Sequence, residues 1–199
     1  MARVVVRPSD LNSFVYCPRR SYIDYYLGMH RTLIQRFKML LGKFIHILYR
    51  LFRSGFIREE LFKVDVYGLD VILVGRPDAY KIHDGYMVLE ELKTGRSPKR
   101  YLHGVRVWLS DLIQVLAYAY MLSRMYNPGK IIVRVVYRDH NDTFQYNIAY
   151  ENLLFCYLER YKRLVNGWVP PPLNHPGKCS KCRYKEICKD FSNLNVSEG

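Results

Sequence analysis

Negative charge is scarce in this 199-residue sequence: eighteen Asp and Glu stand against thirty-one Lys and Arg, a formal net charge of +13 with a pI near 9.6. Such an imbalance draws polyanions, and nucleic acid is the commonest of them. An anionic membrane surface would be a second kind of partner, but the sequence has no amphipathic Lys-rich anchor. Long apolar runs are missing too. No window reaches the length that a membrane span requires, and the run Val4-Val5-Val6 between Arg3 and Arg7 is too short for the core of a signal peptide. Internal repeats and low-complexity tracts are absent. These absences lead us to expect a cytoplasmic protein with no membrane partner. There thiols stay reduced, and cysteines are read as metal ligands before disulfides.

What is present is enough for one good core. Hydrophobic residues make up 49% of the chain, which suits one domain with at most a small appendage. Ser9-Asp10 reads as a capping signal for a short helix within residues 9–27. Apolar residues recur at helical spacing from Leu33 to Arg53, which predicts a long amphipathic helix stopped by Ser54-Gly55. Three β-rich runs follow, Leu61 to Tyr67, Val71 to Tyr80 and Tyr86 to Lys93, divided by Gly68 and by the hairpin signal Asp84-Gly85. Val107 to Tyr126 returns to helical periodicity and Asn127-Pro128-Gly129 stops it. A strand from Ile131 to Arg138, a turn at Asn141-Asp142, a strand from Phe144 to Ala149 and a helix from Glu151 to Val165 complete the core. Val169-Pro170-Pro171-Pro172 then leads stiffly into a cysteine-bearing tail. Three meandering strands joined through a helix to a fourth predict an α/β fold, a mixed β-sheet flanked by helices.

The chemistry concentrates in two short stretches, Gly75-Arg76-Pro77-Asp78 and Glu90-Glu91-Leu92-Lys93-Thr94-Gly95. Alternation along a strand puts Glu91 and Lys93 on one face and Leu92 on the other. The intervening hairpin can bring Asp78 alongside Glu91. Two converging carboxylates make a hard-oxygen site suited to Mg²⁺ or Mn²⁺. A lysine beside them can orient a water nucleophile or stabilise charge on a phosphoryl oxygen. Glu-x-Lys by itself would be read as a surface ion pair. With Pro77-Asp78 upstream and a turn midway, the set reads as a site for phosphodiester hydrolysis.

A second cluster lies in the tail, Cys179-x-x-Cys182 followed by Cys188. Two thiolates of a Cys-x-x-Cys turn face one metal, the third follows, and Cys17 in Tyr16-Cys17-Pro18-Arg19-Arg20 is the candidate fourth. Four thiolates fit either tetrahedral Zn²⁺ or a [4Fe-4S] cluster. Cys156, on the apolar face of a predicted helix, is expected to be core. Past the Glu-x-Lys strand, Arg96, Lys99 and Arg100 lead through His103 and Arg106 to Trp108. Basic groups that hold phosphates beside an aromatic that stacks bases are the usual means of binding single strands.

On these motifs the sequence resembles the PD-(D/E)XK nuclease superfamily and, within it, the RecB-like branch. That branch carries a Gln-x-x-x-Tyr pair, here Gln114 and Tyr118, which the resemblance assigns to the active site and the DNA. It commonly adds a histidine ligand from the helix before the sheet, here His46, which would tilt the site toward manganese. The N-terminal Cys-Pro and the C-terminal cysteine triplet narrow the resemblance to the iron–sulfur exonucleases of the CRISPR-associated Cas-four family. It implies that Cys17, Cys179, Cys182 and Cys188 bind a [4Fe-4S] cluster. That cluster would join residues 1–30 and 169–199 around a nuclease core of residues 31–168. It also implies a 5′-to-3′ exonuclease on single-stranded DNA that trims new spacers beside the CRISPR integrase complex. A DNA-end-binding adaptor that cleaves little alone, or a zinc-stabilised endonuclease, would share many of these residues. Oligomeric state has no signature in the sequence.

Overall fold

A computed structural model of the chain describes residues 3–28 and 60–194. The amphipathic helix expected from Leu33 to Arg53, and His46 with it, lie outside the described residues. Within them the order is β1 (Val4–Val6), α1 (Pro8–Tyr16), α2 (Pro18–Leu27), β2 (Phe62–Val66), β3 (Val71–Gly75), β4 (Ala79–His83), β5 (Tyr86–Leu92), α3 (Leu109–Tyr126), β6 (Lys130–Val136), β7 (Asn141–Gln145), α4 (Ile148–Val165), α5 (Pro176–Cys179) and α6 (Lys185–Leu194). The α/β class is the one expected from the sequence.

The strands make two sheets where one was expected. One has the order β1-β3-β2 and the other β4-β5-β6-β7, and each mixes parallel with antiparallel pairs. The run Val71 to Tyr80, read as one strand, is broken by Pro77. Proline has no N–H to give a ladder and restricts the residue before it. β3 therefore stops at Gly75 in one sheet and β4 starts at Ala79 in the other, leaving Asp78 at the join. β1 has no counterpart among the predicted strands, since three valines carry too little periodicity. It becomes a strand by lying parallel to β3, Val4 opposite Val71.

Proline also divides the N-terminal helix. Cys17 is extended, with φ −160°, and serves as the last cap of α1 and the first of α2, while Pro18 opens α2. The start of α1 corrects the capping signal. Arg7 is the N-cap, and Asp10 sits in the first turn accepting the Arg7 backbone N–H at 3.3 Å. Further along, Asn141 and Asp142 open β7 rather than forming the turn. The reversal lies just before them, where the Tyr137 N–H donates to the His140 carbonyl at 2.8 Å.

α3 supplies the crossover that the parallel pair β5 and β6 requires. Its residues from Leu112 to Leu122, apart from the half-buried Gln114, are buried, and it packs on α1, α4 and strands of both sheets. Asp84-Gly85 forms the two-residue hairpin between β4 and β5, with Gly85 at φ +81°. Cys156 departs from expectation: it is exposed on α4, because Leu154, Leu158 and Tyr161 define the buried stripe of that helix.

Candidate active site

The β4–β5 register carries Asp78 to the level of Glu91. Ala79 pairs with Glu90, so Asp78 stands one residue beyond the ladder, where its Oδ2 accepts the Leu92 N–H at 3.1 Å. Glu91 and Lys93 share a face of β5, and α3 lies across them. Gln114 on α3 joins both: its Nε2 donates to Glu91 Oε1 at 3.0 Å, and its Oε1 accepts from Lys93 Nζ at 2.7 Å. Lys93 Nζ is also 3.0 Å from Glu91 Oε1 and 3.3 Å from Asp111 Oδ1. Glu90, on the opposite face, is 3.8 Å from Arg134. The structure thus brings together Asp78, Glu91, Lys93 and Gln114.

This cluster is dry and electrostatically divided. Glu91 is 3% exposed, and burial, with the charge of Asp78 adding to it, pushes its carboxyl up to about 7. Burial pulls Lys93 the other way, but Glu91, Asp111 and Asp78 outweigh it and hold the ammonium above its usual range. Lys93 is therefore a donor and a charge, able to orient water or an anionic oxygen, and not a base that removes a proton. Glu91 Oε2 is buried with no hydrogen-bond partner among the described residues. An unsatisfied carboxylate oxygen in a dry site is costly unless a cation meets it. With Asp78 it offers the hard oxygens that a small divalent ion takes.

Tyr118 is 7% exposed, and burial raises its phenol above the usual range. A Cβ on Gly75 would fall 3.0 Å from the Tyr118 ring and 2.9 Å from Pro8, so only glycine admits this approach of β3, α1 and α3. Gln114 is engaged with Lys93 and Glu91. Both lie on the side of α3 that meets the cluster, Gln114 half-buried and Tyr118 nearly fully buried.

Three residues not singled out from the sequence stand in the same network: Asn12, Asp111 and Tyr137. Asp111 precedes Gln114 by one helical turn, a spacing that would have marked it. Asn12 and Tyr137 come from α1 and from beyond β6, and only the tertiary fold brings them in.

The four cysteines Cys17, Cys179, Cys182 and Cys188 line one cavity of about 180 Å³, together with Arg19, Arg20, Ile23, Pro172, Leu173 and Lys185 among others. None is in a disulfide. Burial raises the Cys17 thiol, and the three neighbouring cysteines push it the same way against a backbone hydrogen bond at Arg20. Among the described residues no group of three or more His, Cys, Asp or Glu is arranged to hold a metal ion. Side-chain contacts also join the N-terminal and C-terminal segments. The buried Tyr184 donates its hydroxyl to Asp24, to which Arg183 also donates, and Lys178 reaches the Tyr16 carbonyl at 3.0 Å.

Arg96, Lys99 and Arg100 are exposed. Trp108 is half exposed and its Nε1 donates to the Arg96 carbonyl at 2.8 Å, which folds the loop back on itself. Arg106 is occupied, its Nε donating to the Pro98 carbonyl at 2.7 Å. Near the N-terminus, Tyr26 donates to the Val165 carbonyl at 2.8 Å and Tyr16 lies beneath Lys178, so these two rings serve packing. No helix among the described residues is long and apolar enough to cross a membrane.

A sequence profile of the PD-(D/E)XK nuclease superfamily matches residues 50–189. The CRISPR-associated exonuclease Cas4/endonuclease Cas1 fusion of Myxococcus xanthus is 25% identical over 186 residues, which cover 92% of this chain. The chain spans about a third of that relative's length, 31%. Among solved structures, the crystal structure of SSO0001 superposes with a TM-score of 0.59 at 18% identity, covering 94% of this chain and 86% of the other. That likeness is one of fold.

Proposed function

Since this chain belongs to the PD-(D/E)XK nuclease superfamily, we propose that it is a divalent-metal-dependent exonuclease acting on single-stranded DNA. The observation that carries the reading is Glu91 Oε2, a buried acceptor with no partner among the described residues, beside a second carboxylate and a lysine. Asp78 and Glu91 would hold Mg²⁺ or Mn²⁺, with His46 as a further ligand. The ion would supply Lewis-acid polarisation of the scissile phosphodiester. Lys93, kept cationic by its carboxylates, orients the attacking water and offsets charge that builds on the phosphoryl oxygens. Gln114 fixes Lys93 against Glu91, and the packing of α3 excludes bulk water. Arg96, Lys99 and Arg100 hold the phosphate backbone, and Trp108 offers a stacking face.

The four cysteines that share one cavity support a second resident group. We read it as a [4Fe-4S] cluster because each thiolate then serves its own iron, which tolerates wider spacing than one tetrahedral zinc ion does. It would tie residues 1–30 to residues 169–199 around the nuclease core. The Myxococcus xanthus relative is named as an exonuclease fused to the endonuclease Cas1. On that ground we place this chain in CRISPR adaptation, trimming spacers with 5′-to-3′ polarity beside the integrase complex.

The test is anaerobically purified protein incubated with 5′- and 3′-labelled single-stranded DNA and Mn²⁺, beside Lys93→Ala. Degradation that starts from the 5′ end and is lost in the variant supports the proposal. Retained DNA binding with no cleavage by either protein would replace it with a partner-dependent adaptor. Colourless protein that retains zinc would replace the cluster.

A further inference from the structure

Lys93 is gripped from outside the motif that supplies it. Asp111 Oδ1 lies 3.3 Å from its Nζ, and Asp111 is itself held on two sides. Tyr137 donates its hydroxyl to Asp111 Oδ2 at 2.7 Å, and burial first, then the Asp111 charge, keep that phenol protonated. Asn12 Nδ2 donates to Asp111 Oδ1 at 2.9 Å and to Gln114 Oε1 at 3.0 Å. The Trp108 N–H donates to the Tyr137 hydroxyl at 3.1 Å, so the end of the basic loop is tied to the same chain of bonds. Four separate segments meet here: α1 through Asn12, the start of α3 through Asp111, the end of β5 through Lys93, and the residue after β6 through Tyr137.

A lysine has four rotatable bonds, and its head group is compact and strongly hydrated, so Glu91 alone would not fix where it points. The Gln114 carbonyl and the second carboxylate at Asp111 hold it from α3, and Asn12 and Tyr137 fix that carboxylate in turn. Both Asp111 oxygens are engaged by protein donors, which sets it apart from Glu91, whose Oε2 has none among the described residues. Resting on the nuclease reading, we infer that Asp111 is a positioning residue for Lys93, with Asn12 and Tyr137 as its supports. Asp111 is not a metal ligand. It acts on the reaction by holding the ammonium at the place where charge develops.

The experiment compares Asp111→Asn, Tyr137→Phe and their double variant with the parent on single-stranded DNA in Mn²⁺, separating kcat from KM. Asp111→Asn is expected to lower kcat about 10- to 100-fold, the cost of a catalytic group displaced by about an ångström. KM, Mn²⁺ affinity and melting temperature should stay close to the parent's. Tyr137→Phe should lower kcat less, and the double variant should resemble Asp111→Asn, because the hydroxyl acts through the carboxylate. Asp111→Glu should recover part of the loss. The second measurement is the rate at which an amine-acylating reagent modifies Lys93, read by peptide mass spectrometry without metal or DNA. It should rise several-fold in Asp111→Asn and stay near the parent's in Lys99→Ala. Unchanged kcat with a lower melting temperature, loss of Mn²⁺ binding in Asp111→Asn, or unchanged Lys93 labelling would each overturn the inference. Failure of the parent to cleave DNA would defeat the nuclease reading instead, and the labelling result would still decide whether Asp111 holds Lys93.

Discussion

The two centres of this molecule are built in opposite ways. Around Glu91 the protein supplies nearly every partner: Lys93, Gln114, Asp111, Asn12 and Tyr137 form a continuous chain of bonds from four segments. Among the described residues the acceptor Glu91 Oε2 is left over. Around the cysteines the protein supplies a cavity, lined by four thiols, Ile23, Pro172 and Leu173 beside basic side chains. The clamps that hold the chain ends, Tyr184 and Arg183 on Asp24 and Lys178 on Tyr16, sit at its edge. A catalytic site must be rigid before its ion arrives, because its value lies in preorganised charge. A structural metal site needs only to present ligands, since binding then contributes to the folding energy directly.

The largest expected effect breaks the first centre alone. Glu91→Gln keeps the shape and the hydrogen bond from Gln114 but removes the carboxylate charge. DNA cleavage should fall by about 10³-fold or more, as when a principal electrostatic group is lost, while visible absorbance and melting temperature change little. A single-turnover assay beside an absorbance spectrum measures both. Cys182→Ser should do the reverse. The visible absorbance disappears, the melting temperature falls by several degrees and Mn²⁺ binding persists, because the carboxylates are assembled without the cysteines. Gly75→Ala sharpens the comparison by stressing the join of β3, α1 and α3. The new methyl meets Pro8 and Tyr118 at 2.9 and 3.0 Å, and overpacking of this kind costs about 1–3 kcal/mol, readable by denaturant titration. The smallest effect belongs to the loop. Lys99→Ala with Arg100→Ala should weaken DNA binding a few-fold and reduce the slope of log affinity against log salt by about 1 to 2.

The parts of the fold that were legible in the sequence are those set by local rules. Periodicity located α3 and α4, and Asp84-Gly85 located the hairpin that carries Asp78 to Glu91. Proline was underread. Pro77 divides one expected strand between two sheets and Pro18 divides one expected helix, and in both cases the chemistry-bearing residue, Asp78 or Cys17, sits at the break. The strand β1 was hidden because its stability comes from β3. At the site, Glu91 and Lys93 followed from alternation along a strand. Asp111 was missed although it stands one helical turn before Gln114, and Asn12 and Tyr137 were hidden because no local pattern ties residues 99 and 26 positions away to it. Cys156 was misread because it stands two positions from both Leu154 and Leu158, about 160° around the helix from the buried stripe.

The most direct measurement is a Mn²⁺ titration of the metal-free protein, followed by the loss of the free-ion electron paramagnetic resonance signal, for the parent, Glu91→Gln and Cys182→Ser. The parent and Cys182→Ser should bind Mn²⁺ alike, and Glu91→Gln should bind it at least about tenfold more weakly. Binding untouched by Glu91→Gln, or abolished by Cys182→Ser, would contradict a carboxylate ion site that stands independent of the cysteines.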